Sequence, residues 1–304
     1  MNNDELGGDK SSYRRRTVTS YSGYQSLVVR AEDRVAWVTI DNPPVNTLDA
    51  TLAGDLKAFA TEVRSDDGIA VIVFQSANPD FFSAHADFEW SFDPSTLMAL
   101  TDPDADSSLN PLQQLNERLR ALPQVTIAKL RGYARAGGIE LAMAADMRFA
   151  ATDRTWLSQP ESLMGIFPGG GGTQYLNRLV GRASALEIVL GAELFGTSLA
   201  ERYGWINRAV PDEHLDAFVE SLARRIAALP AGVAAAAKEA LDAAEASGPV
   251  PNLAEEAAAH AKVYPSPDDI VDRLRVVMAH GGQTRDGEVR LERLLEGIPW
   301  AHRT

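Results

Sequence analysis

Two carboxylates, two small-residue loops and a glycine run carry the chemistry open to this chain. Glu140 is the one charge in an apolar run of Ile, Leu, Ala and Met from 139 to 145. A carboxyl there is costly to bury without partners, so it is either hydrogen-bonded or functional. Glu161 follows Gln159-Pro160, where the proline fixes a bend that can aim a side chain out of a sheet layer. Ala84 and Ala86 after one strand, and Ala136, Gly137 and Gly138 after another, leave backbone N–H groups uncovered. Each loop precedes a helix start, where N–H groups lack intrahelical acceptors. Two such N–H groups from adjacent strands can hold one developing oxyanion. Glu140 and Glu161 can then move protons beside it.

Plainer readings stand next to these. Glu140 alone is an acid favoured by a helix dipole, and Glu161 alone is an ordinary surface acid after a proline. The glycines at 169–172 lack the Gly-Lys-Ser/Thr ending of a phosphate loop, which excludes that reading. His85 reads as a pocket-wall or rim residue rather than a general base. His214, His260, His280 and His302 have no ligand spacing, so no metal is expected. The stretch 102–106 reads as a solvated acidic loop. There is no cysteine, hence no thiolate nucleophile and no disulfide, which fits a reducing, cytoplasmic compartment. With 29 basic and 42 acidic residues the net charge is −13, which disfavours binding to nucleic-acid phosphates. Arg14-Arg15-Arg16 lies in a polar leader and reads as part of a solvated tail. Every apolar run is broken by charge or glycine before reaching membrane-spanning length, and the N-terminus has no apolar signal core.

The elements that position these groups follow from patterning. Residues 1–24 are polar and charged and are expected to be a disordered leader. Alternation at 26–30 and 34–40 predicts a strand pair, stopped by Asp41-Asn42-Pro43-Pro44. A helix follows to about 63, with Asp49 as N-cap. The continuous apolar run at 69–75 has the pattern of a strand covered on both faces. Residues 88–108 read as an irregular acidic lid or insertion. A helix at 112–121 and a strand at 125–130 come next, and then two short strands, 147–151 and 155–158, joined by Thr152-Asp153-Arg154. Helices are expected at 174–180, 184–190 and 199–203, with Gly181 and Gly204 as stops. A short strand at 206–210 is followed by Ala-rich amphipathic helices at 213–228, 232–246, 253–263, 267–279 and 285–295. The expected organisation is a leader (1–24), an α/β core (25–210) and a C-terminal helical region (211–304).

Four motifs in this order and spacing identify a resemblance. They are Asn42-Pro43-Pro44-Val45-Asn46-Thr47-Leu48, then Ser83-Ala84-His85-Ala86-Asp87, then Ala136-Gly137-Gly138-Ile139-Glu140-Leu141-Ala142, and Gln159-Pro160-Glu161 followed by Gly165-Ile166-Phe167-Pro168-Gly169-Gly170-Gly171-Gly172-Thr173-Gln174. From about residue 35 to 209 the chain resembles the enoyl-CoA hydratase/isomerase (crotonase) superfamily. The resemblance implies a spiral of ββα turns with a C-terminal helical trimerisation region, assembled as a trimer or a dimer of trimers. It implies a CoA thioester as substrate, with no cofactor beyond that CoA. The N–H groups of Ala86 and Gly137 would be the oxyanion donors. Glu140 and Glu161 would be the two acids of hydration, and Gly169 would offer a backbone group to the water. CoA would lie along the loop at Val45 and along Ala84, His85, Asp87 and Phe88. The alternatives within the family are isomerisation, thioester hydrolysis and a retro-aldol reaction; outside it, a non-catalytic acyl-CoA-binding protein. One departure stands out: His85 occupies a place where the family usually has glycine, and its ring is expected to narrow the entrance or touch the ligand.

Overall fold

The computed structural model describes residues 21–229, 232–246, 261 and 268–297. The leader up to residue 20 and most of the helix expected at 253–263 lie outside the described residues. Residues 21–24, expected to belong to the leader, include packed side chains. Tyr21 is buried, donates to Asp66 at 2.6 Å and meets Phe59 edge-on, with Tyr24 packed on the same ring. The polar composition of the segment concealed two aromatic anchors.

Strands β1 (Leu27–Glu32) and β2 (Val35–Ile40) form an antiparallel pair. Helix α1 (Ala50–Val63) starts on Asp49, whose side chain accepts from the Leu52 N–H. It leads to β3 (Val71–Ser76), parallel to β2, and the three-residue β4 (Phe81–Ser83). The supposed acidic lid instead holds two short helices, α2 (Glu89–Phe92) and α3 (Pro94–Met98), fastened by buried Trp90 and Leu97. Asp102 is likewise no solvated acid: it is buried and paired with Arg118 and, at 3.6 Å, with Lys57.

Helix α4 (Pro111–Arg120) opens with a reciprocal cap between Asn110 and Gln113. Strand β5 (Val125–Arg135) is eleven residues long and runs through two levels of the molecule. Its first half pairs with β3 and its second half with β4, both in parallel. Helix α5 (Gly137–Met143) leaves its end, and β6 (Met147–Ser158) returns beside it. The two strands expected at 147–158 are one. Leu130 pairs with Ala150 but Gly132 with Thr155, so β6 carries three extra residues in a bulge. A one-turn 3₁₀ helix (Pro160–Met164) ends at Gly165 and precedes α6 (Gly172–Gly191). Gly181, with non-helical φ and ψ, divides α6 into two helical runs, as its reading as a stop predicts. Then come β7 (Phe195–Gly196), α7 (Thr197–Tyr203), β8 (Arg208–Val210), α8 (Asp212–Ala227) and α9 (Val233–Ala246). A C-terminal arm is formed by α10 (Asp268–Ala279), α11 (Arg285–Glu288) and α12 (Leu291–Gly297).

The sheet order is β1-β2-β3-β5-β6-β7, with β4 added to β5 and β8 to β6. The apolar run of β3 is covered on both faces, as its pattern predicts. Val71 and Val73 face a layer that includes Leu215, Val219 and Ala223 of α8. Ile72 and Phe74 face the larger core with Leu52, Leu56 and Phe59 of α1. At roughly 25 cal/mol per Å² of apolar surface, this two-sided burial is what holds the strand ends rigid enough to carry a site.

Candidate active site

The loop after β4 is set by the Asn42–Leu48 turn beneath it. Asn46 is buried and donates to Ser76 Oγ at 2.8 Å, while its carbonyl accepts from Ser83 Oγ at 2.7 Å. The Ala84 N–H donates to Val45 O at 3.1 Å. The Leu48 N–H donates to His85 O at 2.8 Å, and the Asp87 N–H donates to Leu48 O at 3.1 Å. Leu48 thus bridges in parallel to the residues on either side of Ala86. In such a bridge the middle residue takes no part, and its own N–H and C=O point to the opposite side. Ala86 is that residue, so its N–H is turned away from Leu48.

The second loop meets it there. Ala136 ends β5 with φ 45° and ψ −129°, a conformation costly for a residue bearing Cβ. That turn places Gly137 at the first position of α5, where its N–H lacks an intrahelical acceptor. A Cβ on Gly137 would stand 2.8 Å from Ala86 Cβ and 3.2 Å from Ala86 N. Only glycine allows this approach, which brings the N–H-bearing edges of the two loops together.

Glu140 is one turn into α5 and buried. Its Oε1 accepts from the N–H groups of Gly170 at 2.9 Å and Gly172 at 2.8 Å. A Cβ at Gly170 would lie 2.5 Å from Glu140 Oε2, and one at Gly172 would lie 2.7 Å from Oε1. The glycine run is therefore a cradle for a carboxylate. Helix α4 fixes the cradle: Asn110 donates to Gly169 O and Asn116 to Gly170 O, each at 2.7 Å. Glu161 is buried at the start of the 3₁₀ helix. The Gln159 amide, assigned with its nitrogen toward that carboxylate, donates to Oε1 at 2.8 Å and Oε2 at 2.9 Å. A Cβ at Gly172 would meet both Glu140 Oε1, at 2.7 Å, and the Gln159 amide, at 3.0 Å. Glu140, Gln159 and Glu161 are thus neighbours around one point.

The structure sets Ala86 against Gly137, and sets Glu140, one turn on from Gly137, against Gly170, Gly172 and Gln159, the residue that holds Glu161. The residues expected along CoA differ in exposure. The side chains of Val45, Ala84, His85 and Phe88 are buried, and of the five only Asp87 has a partly exposed one. Asp87 accepts from Gln283 at 2.8 Å. His85 does not line an entrance. Its ring is stacked on Phe88 at 4.1 Å and bonded to Glu288 of the C-terminal arm. Gln159, Asn110 and Asn116 received no role from sequence reasoning. Gln159 stands inside the Gln159-Pro160-Glu161 motif, and Asn110 meets Gly169 across 59 positions of sequence.

The model of the enoyl-CoA hydratase/isomerase family matches residues 30–270. The chain belongs to that family. Probable enoyl-CoA hydratase echA8 of Mycobacterium bovis is 32% identical over 220 residues, 72% of this chain and 82% of the relative. Fatty acid oxidation complex subunit alpha of Vibrio vulnificus is 33% identical over 183 residues, 59% of this chain. The chain spans only 25% of that relative's length. A crystal structure from Streptomyces avermitilis, provisionally named an enoyl-CoA hydratase, superposes with TM-score 0.83 at 43% identity, covering 91% of this chain and 99% of that one. An enoyl-CoA hydratase from Geobacillus kaustophilus gives TM-score 0.65 at 27% identity, covering 85% of this chain and 96% of that one. The fold is the crotonase fold of these hydratase-family proteins.

Proposed function

We propose that the protein hydrates the 2,3 double bond of an enoyl-CoA thioester. The observation that carries this reading is the meeting of the Ala86 and Gly137 backbone edges beside two buried carboxylates held by separate elements. Polarisation of the thioester carbonyl by the two N–H groups makes Cβ electrophilic. Glu140, oriented by the Gly170 and Gly172 N–H groups, takes a proton from water as its oxygen attacks Cβ. Negative charge passes to the thioester oxygen, where each well-placed donor contributes a few kcal/mol. Glu161, held by Gln159 and protonated at the start, delivers its proton to Cα as the carbonyl re-forms. The proton taken up by Glu140 returns to Glu161 through solvent, so one water is added and both acids end as they began. Water is added and nothing is oxidised, so the chemistry needs only the CoA of the substrate. The name of the Vibrio vulnificus relative supports a fatty acyl chain as the substrate class, and the absence of cysteine supports a cytoplasmic setting.

The test is the ultraviolet absorbance of the conjugated thioester on mixing with short, long and aromatic enoyl-CoAs. Hydration bleaches it. Glu140→Gln and Glu161→Gln should each slow the bleaching roughly 10²–10⁴-fold and leave acyl-CoA binding nearly intact. The double variant should lose far less than the product, because the two acids act on one reaction as a unit. Full turnover in Glu140→Gln with none in Glu161→Gln would instead indicate an isomerase working with one acid.

A further inference from the structure

The oxyanion loop is tied to the C-terminal arm by a buried ionic cluster. His85 is 1% exposed and Glu288 0%. Ring atom Nε2 lies 2.8 Å from Glu288 Oε1, and Nδ1 lies 2.8 Å from Ala86 O. Both neighbours are acceptors. The Gln283 N–H donates to the same Oε1 at 2.6 Å and the Arg135 guanidinium stands 3.7 Å from Oε2, and both favour the ionised carboxylate. A neutral imidazole has one N–H and could serve only one acceptor; an imidazolium serves both. The charge count of the cluster agrees. Arg135, also fully buried, donates to Glu292 Oε1 at 2.6 Å and to Glu288 O at 2.7 Å, and its Nη1 is 3.7 Å from Glu288 Oε2. Two carboxylates and one guanidinium leave one negative charge, which a protonated His85 cancels.

The ring acts at the atom next to the proposed oxyanion donor. In the extended segment, the Ala86 C=O points to the same side as the Ala86 N–H, away from Leu48. A bare carbonyl there would repel an oxyanion. The His85 ring covers it and fixes the Ala86–Asp87 peptide from the side opposite Leu48.

We infer that His85 is a positioning residue. Held as an imidazolium between Ala86 O and Glu288, it lets the C-terminal arm set the direction of the Ala86 N–H. The inference rests on the oxyanion-hole reading above. The arm is well placed to do this. Leu274, Val277, Leu291 and Leu295 pack on Phe88 and on Met164, three residues after Glu161, and Arg285 pairs with Asp80. The charged groups around the ring are Glu288, then Arg135 and Glu292 behind it; Asp87 is turned to Gln283.

Three measurements test it. In the free wild-type protein, ¹⁵N NMR at pH 7 should show His85 with both ring nitrogens protonated; a neutral ring overturns the inference. Glu288→Gln should lower kcat about tenfold or more while KM stays within about twofold, the pattern of a contact that matters in the transition state. Because a lone imidazolium left in the core could unfold that variant, His85→Phe/Glu288→Leu is made in parallel. It keeps the stack on Phe88 and replaces the pair by apolar groups, a change that stability often tolerates. It should show the same kcat loss. Unchanged kcat in a folded variant, with only a lower Tm, means that the contact is merely structural. The infrared carbonyl band of bound butyryl-CoA separates this inference from its premise. No red shift in the wild type overturns the oxyanion hole itself. A red shift equal in wild type and variants overturns only the role of His85, and a smaller shift in the variants supports it.

Discussion

At the scale of single residues, the molecule spends buried charge where geometry is needed. Burial of the His85 ring opposes its charge, as does Arg135. The Glu288 charge and hydrogen bond, helped by Ala86 O, outweigh them and raise its pKa above the ordinary histidine value. Burial pushes the Glu288 carboxyl up, but His85, then Arg135 and the Gln283 N–H, hold it below the usual glutamate value. A raised histidine pKa gives stability that is complete below about 6.5 and is lost as pH rises through the folded value. A lowered glutamate pKa gives stability that is complete above about 4.3 and is lost as pH falls through its folded value. The Tm gap between wild type and Glu288→Gln should therefore be widest at about pH 5–6 and narrow in both directions. Thermal unfolding of both proteins from acid to alkaline pH measures this. A gap that stays constant across the range would show that the pair is not ionised as drawn.

At the scale of elements, local signals were legible and distant ones were not. Asp49 as a cap, the two-faced strand at 71–76 and the glycine-rich turn before Glu140 are set by neighbouring residues, so spacing exposed them. The His85–Glu288 pair joins positions 203 apart, and the placing of Asn116 beneath Gly170 joins positions 54 apart. No periodicity encodes such meetings. The β6 bulge misled because Thr152-Asp153-Arg154 has the composition of a turn while the strand continues past it. Gly181, by contrast, was legible as a helix stop. It has φ 73° and ψ 161°, a conformation nearly confined to glycine, and a second helical run begins beyond it. A Cβ there would meet nothing within 4 Å, so any penalty for alanine is purely one of backbone strain. Gly181→Ala should destabilise by about 1–3 kcal/mol. At Gly191, equally open but not at positive φ, alanine should cost nothing or stabilise. Denaturant titration of the two variants decides it, and equal stability would mean that the kink is not a constraint.

At the scale of the whole molecule, the distribution of exposed apolar side chains asks for a partner. Leu186 and Leu190 on α6 are 40% and 66% exposed, and Leu241 on α9 is 70% exposed. Leu229 and Val233, at 40% and 45%, lie between them in sequence. Four of the five lie on α6 and α9 and Leu229 lies in the turn after α8, while Val28, Met98, Trp156, Val276 and Val289 are exposed elsewhere among the described residues. Leucines scattered singly are normal on a surface, and we propose that the three on α6 and α9 belong to an interaction site. The assembly we propose, as the family resemblance implies, is a closed ring of copies, trimeric or a dimer of trimers, since cyclic symmetry lets one surface satisfy its neighbour without leaving an open end. Light scattering at micromolar concentration should give a mass of three or six chains. Leu190→Asp, which adds a charge at an exposed position and disturbs no core contact, should shift that mass downward while circular dichroism stays unchanged. A monomer in the wild type would refute the assembly. An unchanged mass in Leu190→Asp would place the interface on another face, because a charge buried without a partner between subunits costs several kcal/mol and could not be absorbed.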